Sequence, residues 1–217
     1  MEIHIMDKTD SVLNRYVAEM RDVRIQKDRM RFRRNIERIG ELMSYELSKS
    51  LSYAPQEVTT PLGTATVNMP TDDIVVGTVL RAGLPMHQGV LSVFDWADNC
   101  FASAFRAYDD HHGIEIHLGY AATPKLDGKV LIMADPMLAT GKSMCEVIGQ
   151  LLRYGTPRSI HIMSIIGTPN GVEYVSANTH GIETTLWIAS VDPTLNSDSY
   201  IVPGLGDAGD LAYGGKE

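Results

Sequence analysis

Cysteine is scarce, with two residues in a chain of 217, and Cys100 and Cys145 lie far apart in apolar stretches. That excludes a disulfide framework and a cysteine-built metal site. Both thiols read as small buried hydrophobes in a reducing compartment. Long apolar runs are also missing: none approaches the roughly 20 residues needed to cross a bilayer. The opening Met-Glu-Ile-His-Ile-Met-Asp carries charges where a secretory leader needs an apolar core. A cytoplasmic protein with no membrane partner is expected. Positive charge is in deficit, 19 Lys and Arg against 27 Asp and Glu for a formal net charge of -8. A nucleic-acid binder is disfavoured, because affinity for a phosphate backbone rests on accumulated Lys and Arg. A small phosphorylated substrate remains open, since it needs only local positive potential and a cation. Repeats and low-complexity segments are absent.

What the chain does have is 44% hydrophobic residues, enough for one sizeable core, so residues 1–217 are expected to form a single domain. From Arg29 to Leu51, Phe32, Ile36, Ile39, Met43 and Leu47 recur three or four apart, which predicts the longest helix of the chain. The start of that helix is basic, with Lys27, Arg29, Arg31, Arg33, Arg34 and Arg38. The plain reading is a solvated or subunit-facing helix face, and the sharper one an RNA-docking surface. A Thr- and Pro-rich stretch over 55–70 predicts a hairpin or loop. Beyond it come short apolar runs, Ile74–Leu80, Cys100–Phe105, Val130–Ala134, Ile160–Ile166 and Thr184–Ala189. Helical patterns at Met86–Phe94, Ser143–Tyr154 and Val172–Asn178 fall between several of them. Uninterrupted apolar runs of this length suit strands buried on both faces, and the alternation predicts an α/β fold with a parallel sheet flanked by helices. In such sheets ligands bind outside the carboxyl ends of the strands.

Two segments carry chemistry. The run Val130–Ala134 passes directly into Asp135-Pro136-Met137-Leu138-Ala139-Thr140-Gly141-Lys142-Ser143 and then a helical pattern, so a strand, a turn and a helix start follow one another. Unpaired N–H groups and the positive dipole end of that helix, beside Thr and Ser hydroxyls, suit a phosphate monoester. Asp135 is placed to bind ribose hydroxyls or magnesium. Gly141-Lys142-Ser143 imitates a Walker A ending, but that motif needs a glycine where Pro136 stands. The bland alternative is a turn capped by Thr140 or Ser143. The second segment, Tyr200-Ile201-Val202-Pro203-Gly204-Leu205-Gly206-Asp207-Ala208-Gly209-Asp210, is dense in glycine and poor in functional side chains. Whatever it binds is recognised mainly by backbone N–H and C=O groups, which suits a small planar ring. His111, His112 and His117 fall in a polar stretch without cysteine, and read as an ordinary loop rather than a metal cluster.

The string DPMLATGKS at 135–143 closely resembles the phosphoribosyl pyrophosphate loop of the uracil phosphoribosyltransferases, with Lys142 where that family has glycine. RAGLPM from Arg81 is similar to the family's RAGLGM segment, with Pro85 replacing a glycine, and YIVPGLGDAGD is similar to its ending. The resemblance implies a phosphoribosyltransferase-type fold with an N-terminal helix and a C-terminal base-binding loop region. It also implies transfer of the ribose 5-phosphate of phosphoribosyl pyrophosphate to uracil, giving UMP and pyrophosphate. Arg81, and by position Arg106, would bind the pyrophosphate, and 135–143 the 5-phosphate. Ile201, Gly206 and Ala208 would bind uracil through their backbone. Asp207 would face Mg2+, held mostly through the substrate, and the phosphoribosyl group. Asp207, Arg106 and Asp135 stand as the catalytic set, with no dedicated general base. A homo-oligomer, dimer or tetramer, is implied, and the sequence leaves open whether GTP acts as an effector.

Overall fold

The computed structural model describes residues 1–108 and 114–215, with the side chains of 104–119 outside the description. Its centre is a sheet in the order β1, β10, β9, β7, β4, β5, β6, formed by Glu2–Ile5, Glu183–Val191, Ser159–Gly167, Val130–Ala134, Ile74–Leu80, Asp98–Tyr108 and Ile114–Ala122. All these pairings are parallel except β5 with β6. The parallel sheet expected from the apolar runs therefore carries an antiparallel edge. A short strand, β8 (Met137–Leu138), adds to β9 beyond the end of β7.

Helices cover both faces, and strand alternation decides which residues each face receives. On β7, Val130, Ile132 and Ala134 join a core that includes α1 (Val12–Arg21), α2 (Arg29–Ser48) and α3 (Leu84–Val93). Leu131 and Met133 point the other way, toward α4 (Lys142–Leu151) and α5 (Pro169–Ala177). The helix read at 29–51 ends three residues earlier. Its stripe Phe32, Ile36, Ile39, Met43 and Leu47 is buried, and its N-cap Asp28 accepts the Arg31 N–H. Cys100 and Cys145 are buried and unpaired. No described helix is long and apolar enough to cross a membrane.

Residues 55–70 take the hairpin option. β2 (Tyr53–Thr60) and β3 (Gly63–Pro70) pair in unbroken register from Tyr53↔Pro70 to Thr60↔Gly63. Every residue of both strands is exposed except Pro70, which is half-buried.

Chain order makes the sheet doubly wound. From β4 the chain passes through α3 to β5 on one side, and from β7 it passes through α4 to β9, α5 and β10 on the other. The direction of winding reverses between β4 and β7, joined from Ile74↔Val130 to Thr78↔Ala134. The crevice outside the carboxyl ends of those two strands is where a fold of this kind places its ligand.

Candidate active site

That crevice is a cleft of about 280 Å³. The turn after β4 lines one side with Arg81 and Ala82, and the segment after β7 lines another with Asp135 and the turn 137–141. The chain near the C-terminus closes it with Ile201 and residues 206–209. Thr140 and Gly206, 66 positions apart in sequence, thus share one cavity. Of the residues singled out from sequence, Arg81, Asp135, Met137, Leu138, Ala139, Thr140, Gly141, Ser143, Ile201, Gly206, Asp207 and Ala208 all line it. Pro136 and Lys142 do not. The Pro136 carbonyl accepts the N–H groups of Ile165 and Ile166, stitching the loop to β9. Lys142 stands exposed in the first turn of α4. Arg106 is placed by its backbone on β5, opposite Ile116. Its side chain lies outside the described residues, as do His111, His112 and the side chain of His117.

Two helices open at the cleft, and neither has a side-chain cap. α4 begins at Gly141 and α3 at Gly83, next to Arg81 and Ala82. The other described α-helices are capped: α1 by Ser11, α2 by Asp28, α5 by Thr168 and the short α6 (Ala208–Tyr213) by Asp207. An uncapped start leaves donors and a positive dipole end for a ligand, and α4 brings such an end to the cleft. At α3 the Gly83 and Leu84 N–H groups already donate to the Val79 and Arg81 carbonyls and Pro85 has no N–H, so that start offers little beyond its dipole. The capped-turn alternative holds in part: the Thr140 hydroxyl accepts the Lys142 N–H at 3.4 Å, while the N-cap itself, Gly141, has no side chain to cap with. Only glycine serves as that N-cap. Gly141 has φ +74, and a Cβ there would lie 2.7 Å from the Gly171 carbonyl oxygen. Thr168 fixes the same turn from α5 by donating its hydroxyl to the Ala139 carbonyl at 2.7 Å.

Asp135 follows β7 directly. Its N–H donates to the Met163 carbonyl, its carbonyl accepts the Ser164 hydroxyl, and its carboxylate accepts the Met137 N–H at 3.1 Å. Burial pushes its carboxyl up to about 7, and the Met137 N–H offsets only part of that. A carboxyl so perturbed in a cleft is a candidate functional position.

The C-terminal segment is held by residues that the sequence did not single out. Arg21, at the end of α1, grips Asp192 with both terminal nitrogens at 2.7 Å and also donates to the Gly204 carbonyl at 3.0 Å, while Asp192 accepts the Gly204 N–H at 2.8 Å. Burial pushes the Asp192 carboxyl up, but the Arg21 bonds and the Gly204 N–H together hold it below its ordinary value. Gln26 donates to the Leu205 carbonyl at 3.1 Å. Gly204 has φ +57, and a Cβ there would collide with the Ile201 carbonyl oxygen, so the bend requires glycine. Arg21 and Asp192 are 171 positions apart, and no local pattern links them.

The basic start of α2 has intramolecular partners. Arg31 meets Glu19, Arg34 meets Glu37 and Glu41, Arg33 donates to the Ala212 carbonyl, and Arg38 lies over the Tyr16 ring. This supports the plain reading of that face.

A crevice at the reversal of winding, where the start of α4 favours phosphate and a backbone-rich segment faces it across the gap, fits the phosphoribosyltransferase class of glycosyltransferases. Residues 8–215 match the family Uracil phosphoribosyltransferase, and the chain belongs to that family. A protein of Porphyromonas gingivalis named uracil phosphoribosyltransferase is 53% identical over 219 residues, covering 100% of both chains. One of the same name from Methanothermobacter thermautotrophicus is 40% identical over 185 residues, 84% of this chain and 83% of its own. Among solved structures, AQ2163 protein from Aquifex aeolicus matches with TM-score 0.85 at 28% identity, covering 98% of each chain.

Proposed function

We propose that the chain transfers the 5-phosphoribosyl group of phosphoribosyl pyrophosphate to uracil, forming UMP and releasing pyrophosphate, as a cytoplasmic salvage enzyme. The observation that carries this reading is the shared cleft, in which the 137–143 turn and the 201–208 segment face a common space. The uncapped start of α4, with Thr140 and Ser143, takes the 5-phosphate. Arg81 beside the start of α3 takes the pyrophosphate, with Arg106 from β5 as its partner. Asp135 binds the ribose hydroxyls. The backbone of Ile201, Gly206 and Ala208 pairs with the edge of uracil. Cytosine would present a donor where uracil has an acceptor, leaving buried groups unpaired at about 1–3 kcal/mol each.

Departure of pyrophosphate leaves an oxocarbenium-like sugar, so the rate rests on positioning and on holding the leaving group's charge rather than on a general base. The donor set fits magnesium bound largely through substrate. Asp207 and Asp135 offer carboxylates to one cleft, and no group of three metal-ligating side chains forms among the described residues. When bound, the ion would neutralise charge on the departing pyrophosphate.

The hairpin favours assembly with a second copy. Ala54, Val58, Ala65, Val67 and Met69 share one of its sides with Gln56, Thr60 and Gly63 by register, and Tyr53, Pro55, Glu57, Thr59, Thr64, Thr66, Asn68 and Pro70 share the other. An isolated two-stranded ribbon is marginal in water, so a side that exposes Val58, Val67 and Met69 calls for a cover, and a two-fold pair of identical arms supplies one to each.

The test of activity is incubation with uracil, phosphoribosyl pyrophosphate and magnesium. UMP is expected, with hypoxanthine, adenine and cytosine giving little product. Turnover of a purine in preference to uracil would refute the assignment.

A further inference from the structure

One contact spans the cleft and joins the two halves of the site. Arg81 Nη2 donates to Asp210 Oδ1 and to the Gly214 carbonyl, both at 3.3 Å. Asp210 belongs to α6 and Gly214 ends it, so the arginine of the β4 turn rests on the helix that follows the base segment. Gly209 lies beside this seat: a Cβ there would touch Arg81 Nη2 at an ordinary 3.7 Å and press on Asp207 Oδ1 at 3.2 Å. α6 is itself fixed at both ends: Asp207 accepts the Asp210 N–H at 2.9 Å, and Arg33 donates to the Ala212 carbonyl at 2.7 Å.

A guanidinium has five N–H donors in a planar fork. The two on Nη2 face α6, and those on Nε and Nη1 have no partner among the described residues. Arg81 lines the cleft, so one edge of the fork is anchored while the other is left for an anion. Both side chains of the pair are about 40% exposed, and ion pairs at such positions contribute little to stability. The contact matters instead for where it holds the arginine.

We infer that Asp210 is a positioning residue. It seats Arg81 so that the free edge of the guanidinium meets pyrophosphate, and it thereby makes the grip on pyrophosphate depend on the helix that carries Asp207 and follows Gly206. The two substrates are coupled through this one pair. The inference rests on the proposed role of Arg81, and the test keeps the two separable.

Binding of inorganic pyrophosphate with magnesium, and separately of ribose 5-phosphate, is measured by calorimetry for the wild type, Arg81→Ala, Asp210→Ala, Asp210→Asn and the Arg81→Ala/Asp210→Ala pair. Expected is a roughly tenfold weakening of pyrophosphate in Asp210→Ala and about threefold in Asp210→Asn, where a neutral acceptor remains. Ribose 5-phosphate should stay within twofold, and the double variant should bind pyrophosphate no more weakly than Arg81→Ala alone. If Arg81→Ala leaves pyrophosphate binding intact, the role of Arg81 fails. If Arg81→Ala weakens it but Asp210→Ala does not, or if the two losses add in full, or if both ligands weaken together, the positioning role of Asp210 is overturned.

Discussion

The substitution Asp135→Asn should make the protein more stable at pH 8 and a poorer enzyme. The amide side chain would keep the oxygen that accepts the Met137 N–H and lose only the charge. Burial moves the carboxyl from 3.8 to about 7, which at 1.36 kcal/mol per pKa unit corresponds to about 4 kcal/mol for ionising it in the folded chain. Partial contact of the side chain with solvent reduces this to roughly 2 kcal/mol. The sign follows from proton uptake. Between pH 4 and 7 the folded state holds this proton more tightly than the unfolded one, so wild-type stability falls as pH rises through that window and levels off above it. The variant has no such group. Its advantage should be near zero at pH 4 and about 2 kcal/mol at pH 8, a rise in Tm of about 4–8 °C for a chain of this size. Thermal melts of both proteins at half-unit steps from pH 4 to 8 read this directly. In parallel, kcat/KM for phosphoribosyl pyrophosphate should fall about tenfold or more, as loss of a hydrogen bond to a charged group does. A Tm difference that does not change with pH, or a variant less stable at pH 8, would refute the reasoning.

Other expectations follow from the same contacts. Arg21→Lys keeps the charge but loses the fork that holds Asp192 and Gly204. Uracil KM should rise severalfold with the donor KM within twofold, and equal changes in both would count against a role confined to the base segment. His161 accepts the Trp187 indole N–H, and burial, aided by Arg158, holds its pKa down at about 4. Its stabilising contribution is fully present above pH 6.5 and is lost as pH falls toward 4, and the loss reaches about 2 kcal/mol by pH 5. A His161→Gln variant with the same acid sensitivity as the wild type in denaturant titrations would contradict this. Val58→Glu with Val67→Glu puts carboxylates on the apolar side of the hairpin and should convert a dimer to monomer in sedimentation at micromolar concentration. An unchanged mass would argue that the arm packs elsewhere.

Much of the architecture was readable as strings. The stripe from Phe32 to Leu47, the runs Ile74–Leu80 and Val130–Ala134, and the turn from Asp135 to Ser143 declare themselves because side-chain periodicity, capping and glycine's freedom act within a few residues. The motifs after β4, after β7 and near the C-terminus were legible for the same reason, since each is a contiguous stretch. What no string revealed was partnership across the chain. β1 as an edge beside β10, the Arg21–Asp192 clamp and the seat of Arg81 on Asp210 all pair residues more than a hundred positions apart. The sheet order brought Arg81 and Asp135 to one crevice, because parallel strands wound in opposite directions from β4 and β7 leave their ends open only there. Sequence by itself determined which segments to propose for phosphate and for base. Tertiary packing decided that they face each other, because that depends on which strands pair, and pairing is settled by the burial of both sheet faces at once.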